Sequence, residues 1–244
     1  DRYGGSLENR CRFPVEVVRR VRAALGDHYP ILVKMNQCDG MRGGLRLDEA
    51  VQVARAFEAA GASALVPSCG FTARTPLYML RGNVPTLEFA RAQERFLTKI
   101  GMASFGWILV QRYPYAPCFL LEGARRIRQA VDIPVGYIGG VTSLQEMDAL
   151  VDEGFAFVQV GRSTIRDPDF VLHLQRGEID RSDCDHCNRC VAAMSVEGVR
   201  CFCDQPVACA ESVPSEERAS TGQRALREEP NRVDDPQLWE PVEG

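Results

Sequence analysis

Apolar positions along this chain follow two alternating rhythms. Phe13, Val17, Val21, Ala24 and Leu25 recur at helical spacing, and Gly26 closes the run. Ahead of them, Gly4-Gly5 suits a tight turn and Ser6 suits a helix N-cap. "ILVKM" (31–35) is too short for a helix and rich in Ile and Val, so it reads as a buried strand. Helical period returns over 48–60 through Ala50, Val53, Ala54, Phe57 and Ala60, with Gly61 as the stop, and "ALVPS" (64–68) is a second strand. Residues 69–118 show no period and contain several aromatics and prolines; so long a stretch is expected to be a functional or interface insertion. Regularity resumes with a helix face at Leu120, Ala124, Ile127 and Val131, then a third strand, "IPVGYIGG". Ser143-x-x-Glu146 is a capping box ahead of a stripe of Leu144, Met147, Leu150 and Val151. "FAFVQVGR" is a fourth strand, a short helix follows at 168–176, and residues 210–244 read as a polar, disordered tail.

Strands alternating with amphipathic helices imply an α/β fold with parallel pairing and right-handed crossovers. An open doubly wound sheet and a (β/α)8 TIM barrel both fit. A barrel takes about 250 residues, so four strands in this span amount to half of one. The expected organisation is a partial barrel over 1–178, a cysteine-rich segment over 179–209 and the tail.

Composition narrows the chemistry. With 29 basic and 33 acidic residues, net charge −4, nothing calls for nucleic acid or an anionic membrane as partner. Of ten cysteines, Cys11, Cys38, Cys69 and Cys118 are scattered singly and read as reduced, buried thiols, whereas six crowd into 184–209. That crowding beyond a long apolar α/β pattern favours a metal site in a reducing, cytoplasmic setting over a secreted disulfide framework.

Three groups of residues carry candidate chemistry. "YIGG" (137–140) and "QVGRS" (159–163) place Gly139, Gly140 and Gly161 where strands hand over to helices, and Arg162 adds a fork-shaped cation; two such turns in succession suit a phosphate group. Lys34 ends an otherwise apolar strand, so it either faces an anion or reaches solvent. Cys184, Cys187 and Cys190 follow C-x2-C-x2-C, with Cys201 or Cys203 further on. Three closely spaced thiolates and a distant fourth suit a [4Fe–4S] cluster, with zinc as the alternative. His186 reads as a loop residue and His173 as helix surface or packing.

"DRYGGSLENRCRF", "ILVKM", "PVGYIGG" and "FVQVGRSTIRDPDF" resemble successive landmarks of the old yellow enzyme family of flavin-dependent ene-reductases. "CDHCNRC…VRC" is similar to its iron–sulfur branch, which includes 2,4-dienoyl-CoA reductase and trimethylamine dehydrogenase. The resemblance covers roughly residues 1–203. It implies a (β/α)8 barrel with FMN at the C-terminal strand ends, Lys34 near the flavin's pyrimidine edge, and Gly139, Gly140, Gly161 and Arg162 at its phosphate. It implies Cys184, Cys187, Cys190 and Cys201 as cluster ligands, with "GVRC" selecting Cys201 and Cys203 left open. It further implies NAD(P)H as donor and an electron-poor C=C bond in a small-molecule substrate. In the family "DRYGGS" follows the fourth strand, so the chain is expected to be the C-terminal half of the enzyme, with the substrate-gripping residues upstream. A catalytically inert fragment and a zinc-stabilised interaction module are the competing expectations, and homo-oligomerisation of the full-length protein is left open.

Overall fold

The computed structural model describes residues 2–203 other than 72, 73, 76, 195 and 197. The tail expected over 210–244 lies outside the described residues. In chain order the elements are α1 (Leu7–Leu25), β1 (Leu32–Cys38), α2 (Leu47–Ala59), β2 (Ala64–Cys69), α3 (Thr86–Arg91), α4 (Phe96–Leu109) and α5 (Leu121–Arg128). They continue as β3 (Gly136–Ile138), α6 (Leu144–Asp152), β4 (Phe157–Gln159), α7 (Arg162–Arg166), α8 (Phe170–Gln175) and α9 (Arg189–Ala193). The chain divides into two compact units. One holds Asp1–Val84 and Val110–Asn188; the other holds Pro85–Leu109 and the residues from Arg189 onward.

The first unit is a helix-backed parallel sheet. β1 pairs in parallel with β2, and β3 with β4. A parallel bridge between Leu65 and Val135, with Leu65 N donating to Pro134 O at 3.0 Å, joins the two pairs. The strand order is therefore β1-β2-β3-β4, the order in sequence, as right-handed crossovers produce. Local signals place the helices. Ser6 Oγ accepts from Asn9 N at the start of α1. Glu146 and Ser143 exchange the two bonds of a capping box at the start of α6. Between sheet and helices lies one core, which includes Met35, Phe57, Leu65, Ile127, Val135, Tyr137 and Phe155. The buried Tyr137 hydroxyl accepts from Leu120 N at 3.1 Å and donates to Gly139 O at 2.9 Å, tying α5's entry to the end of β3.

Two sequence expectations are corrected here. The apolar stripe of α1 is not its buried face: Val15 and Val18 are buried, while Phe13, Val17, Val21 and Leu25 are exposed. In α6 only Leu150 of the expected stripe is fully buried, and Leu144 and Val151 are exposed. Periodicity locates an apolar stripe, but which side of the helix its neighbours occupy is a tertiary fact. The second correction concerns 69–118, which contains helices α3 and α4. The apolar run "FLTKIGMASFGWIL" of α4 has almost no polar face, so its helical period is invisible in sequence.

In the second unit, α3 packs beside α4 and α9. Arg189 at the head of α9 donates to Cys203 O at 3.1 Å and Phe202 O at 3.4 Å, and pairs with Glu88 of α3 at 3.3 Å. The buried Phe202 ring packs on Ala193 and carries Arg200 at 4.0 Å.

Candidate functional site

In a parallel sheet the strand C-termini open on one side, where strand-to-helix loops gather and binding sites form. On β1, burial alternates: Met35 and Gln37 are buried toward the helices, while Leu32 and Lys34 are exposed on the other face. Gln37 supports α5, donating to Leu120 O at 3.3 Å, and a Cβ on Gly123 would overlap its Oε1. Lys34 is thus a solvent-reaching cation on the sheet face away from the helices, and among the described residues no carboxylate pairs with it. Two positions on, Asn36 Nδ2 donates to Asp39 Oδ1 at 2.8 Å and to Gly70 O at 2.7 Å, joining the loops after β1 and β2.

At the end of β3, Gly139 and Gly140 both take positive φ, +124° and +74°. Gly140 is closely enclosed: a Cβ there would lie 2.7 Å from Ala116 O and 2.8 Å from the Phe119 ring. Its carbonyl accepts from Tyr115 Oη at 2.9 Å and from Cys118 N at 3.3 Å. The turn is therefore glycine for two reasons, conformation and close approach. Gly161 at the end of β4 differs. Its φ is −126°, and nothing lies within 4 Å of where its Cβ would be. There the bare backbone faces open space, which is what a ligand approaching closely requires.

Arg162 follows directly and is anchored within the protein. Its NH1 donates to Arg81 O at 2.7 Å and to Asn188 Oδ1 at 2.8 Å. Asn188 is fully buried in the left-handed region at φ +59°, and its Nδ2 donates to Leu80 O at 2.7 Å and Asn83 O at 2.9 Å. One amide thus clamps the 80–83 loop and orients Arg162. Neighbouring His186 stacks on Tyr115 with centroids 3.7 Å apart. Burial, helped by the Arg162 charge, pushes its imidazole down to about 4, so it is neutral at physiological pH. Sequence reading missed Asn188, His186 and Arg81 as site residues. The available signal was position alone: Asn188 and His186 lie among the cysteines, and Arg81-Gly82 sits in the unpatterned stretch.

The scattered cysteines are free thiols, but of the four expected to be buried only Cys69 is, while Cys11, Cys38 and Cys118 are half-buried. Burial pushes the Cys69 thiol up to about 12 and Cys118 up to about 11, so neither is a thiolate at neutral pH. Of the clustered cysteines, Cys184 and Cys187 end the first unit, whereas Cys190, Cys201 and Cys203 belong to the second. In that second unit Cys201 and Cys203 present their sulfurs 3.3 Å apart. His173 lies on α8 as expected of a surface helix residue, with Nδ1 2.7 Å from Asp167. That carboxylate contact raises its pKa.

A cleft of about 640 Å³ runs along α1 and α2 beside Tyr3, Cys11 and Gln52, on the helix layer and not at the strand ends. No helix among the described residues is long and apolar enough to cross a membrane.

Residues 1–70 match the NADH:flavin oxidoreductase / NADH oxidase family. The chain is 35% identical over 202 residues to 4,4'-dithiodibutanoate disulfide reductase of Rhodococcus erythropolis, covering 82% of this chain and 50% of that protein. It is 32% identical over 221 residues to NADH oxidase of Thermoanaerobacter brockii, covering 88% of this chain and 29% of that one. It thus spans half the length of the first relative and less of the second. Among solved structures, a 2-naphthoyl-CoA reductase complex superposes with a TM-score of 0.59 at 23% identity, covering 86% of this chain and 26% of that one. At that identity the likeness is one of fold. Gly-bearing strand ends on a parallel sheet, the family match over the first two helices and first two strands, and relatives aligned across four-fifths of the chain all liken this chain to the NADH:flavin oxidoreductase / NADH oxidase family.

Proposed function

We propose that the protein carrying this chain is an FMN-dependent oxidoreductase with a [4Fe–4S] cluster, using NAD(P)H to reduce an electron-poor C=C bond. The observation that carries the reading is the pairing of two glycine strand ends on neighbouring parallel strands, Gly139-Gly140 and Gly161, with open space at Gly161 and Arg162 beside it. These donors fit a phosphate monoester: backbone N–H groups that a Cβ does not obstruct, next to a guanidinium. Lys34, a cation on the sheet face away from the helices that no carboxylate among the described residues pairs with, fits the electron-rich edge of a reduced flavin. FMN, when bound, supplies hydride transfer from NAD(P)H to the substrate, the double bond gaining hydride and a proton as NAD(P)+ leaves. The chain's own part is to hold the phosphate at Gly161 and Arg162 and to keep the 80–83 loop fixed through Asn188.

The fold reading goes with it. Four parallel strands in sequential order form one half of a (β/α)8 barrel, and the exposed Leu32, Phe13, Val17, Val21 and Leu25 are surface that a complementary half covers. For the cluster, thiol chemistry and spacing support Cys184, Cys187 and Cys190 with one of Cys201 and Cys203 as ligands, and such a centre relays single electrons. Reduced cysteines and a redox cluster suit the cytoplasm.

Arg162→Ala tests the phosphate assignment. FMN affinity is expected to fall by roughly ten- to a hundredfold, the scale of one charge-assisted contact, while riboflavin, lacking the phosphate, binds as before. Equal losses for FMN and riboflavin, or no loss for FMN, would remove Arg162 from the phosphate site.

A further inference from the structure

Within the first unit, Arg81 is a cation whose guanidinium has no hydrogen-bond partner among the described residues. Its guanidinium carbon stands 4.4 Å from the centroid of the Phe119 ring and 5.3 Å from that of Tyr78. Contacts of this kind engage the face of the guanidinium and leave its in-plane N–H groups available. Among the described residues no carboxylate pairs with it, and its Nε is buried with no hydrogen-bond partner. A buried, charged donor left unmatched is costly, and proteins match such groups.

The loop that carries it is rigid. Asn188 holds the carbonyls of Leu80 and Asn83 on either side, and Gly82 N donates to Tyr113 O at 2.9 Å. Gly82 has φ +141°, and a Cβ there would lie 2.3 Å from His186 O, so the backbone has no room to shift. Phe119, beneath the guanidinium, also packs against Gly140, and Arg162 donates to the carbonyl of Arg81 itself. Arg81 is therefore preorganised beside the strand-end loops, with a second arginine bonded to its backbone. Holding a cation stacked, half-buried and unpaired in a clamped loop is the arrangement of a receptor awaiting an anion.

We infer that Arg81 is an oxyanion-binding residue at the ends of β2 and β3, taking a phosphate or carboxylate group through its free N–H edge. Two ligands present that chemistry here, the phosphate end of the flavin cofactor and a carboxylate on the substrate. The choice between them rests on the flavin reading above; the site itself does not.

The test uses the purified protein without flavin, titrated calorimetrically with inorganic phosphate and with butanoate, in the wild type and in Arg81→Met and Arg81→Lys. Methionine retains packing against the two rings without charge, so its melting temperature in the absence of anions is expected to match the wild type. Its affinity for the anion is expected to fall about ten- to a hundredfold, with Lys between, because it keeps the charge but loses the fork. FMN and riboflavin then separate the sources. A Met variant in which the FMN preference over riboflavin collapses identifies the cofactor phosphate. One in which that preference stands and butanoate binding falls identifies a substrate carboxylate. Should Arg81→Met fail to fold, the comparison of Arg81→Lys with the wild type decides by the same titrations. Phosphate and butanoate binding equally to wild type and variants, or to none of them, overturns the proposal. A wild type that binds phosphate through Arg81 yet binds no flavin would instead defeat the flavin reading and leave this site standing.

Discussion

Cys187→Ser is expected to yield protein without the iron–sulfur chromophore proposed for the wild type, with iron and acid-labile sulfide falling from about four per chain to near zero. A serine hydroxyl is a far poorer ligand for iron than a thiolate, so the change removes one of the proposed ligands of C-x2-C-x2-C. The fourth ligand behaves differently. With Cys201 as the proposed fourth ligand, Cys201→Ser is expected to lose the cluster and Cys203→Ser to retain it, and the opposite result would move the ligand to Cys203, whose sulfur lies 3.3 Å away. Anaerobic iron and sulfide analysis of the three variants checks this. Zinc in place of iron in the wild type, or full iron content in Cys187→Ser, would remove the cluster from the account.

A second large effect is expected at Gly140. Alanine there must adopt φ +74° and place its Cβ 2.7 Å from the backbone oxygen of Ala116. Left-handed strain alone costs about 1–3 kcal/mol, and steric overlap with a fixed carbonyl adds about 1–3 kcal/mol. Each kcal/mol lowers the melting temperature of a chain this size by roughly 2–4 °C, so thermal denaturation should register a fall of about ten degrees. Gly161→Ala is the informative contrast, with ordinary φ and open space at the Cβ position. Its melting temperature should barely change, whereas FMN affinity should drop, because the methyl group occupies the space the phosphate needs. A Gly140→Ala protein as stable as the wild type would show that the turn after β3 is not built as described.

The contrast between these glycines shows what sequence could and could not reveal. "YIGG" and "QVGR" mark strand ends equally well in sequence, and all four strands and the capping box at Ser143 were legible because each is a local signal of spacing, cap or turn. Which glycine is packed and which is open depends on Ala116 and Phe119, residues more than twenty positions from Gly140, and no local pattern encodes that. The same limit explains α1. Its stripe at Phe13, Val17 and Val21 was visible, but its exposure follows from α2 packing on the Val15–Val18 side. Arg162 was recognisable as a strand-end cation. Its dependence on Asn188 was not, because a lone asparagine between cysteines has no signature until the 80–83 loop is seen folded over it.

The stacked loop also gives the site a defined ionic character. His186 is held neutral at physiological pH by burial and the nearby Arg162 charge, so it adds no positive charge at the strand ends.

The central claim is that this chain contributes the phosphate-holding strand ends of a flavin- and cluster-bearing oxidoreductase. The most direct measurement is the cofactor inventory of the gene product that contains it, purified anaerobically: a visible spectrum, mass-spectrometric identification of the flavin released by acid, and metal analysis. The account predicts FMN and not FAD, at about one per chain, together with iron and sulfide near four each and a spectrum that bleaches on addition of NADH or NADPH. A colourless protein that carries zinc, takes up no FMN when it is supplied and is inert to both nicotinamides would contradict it.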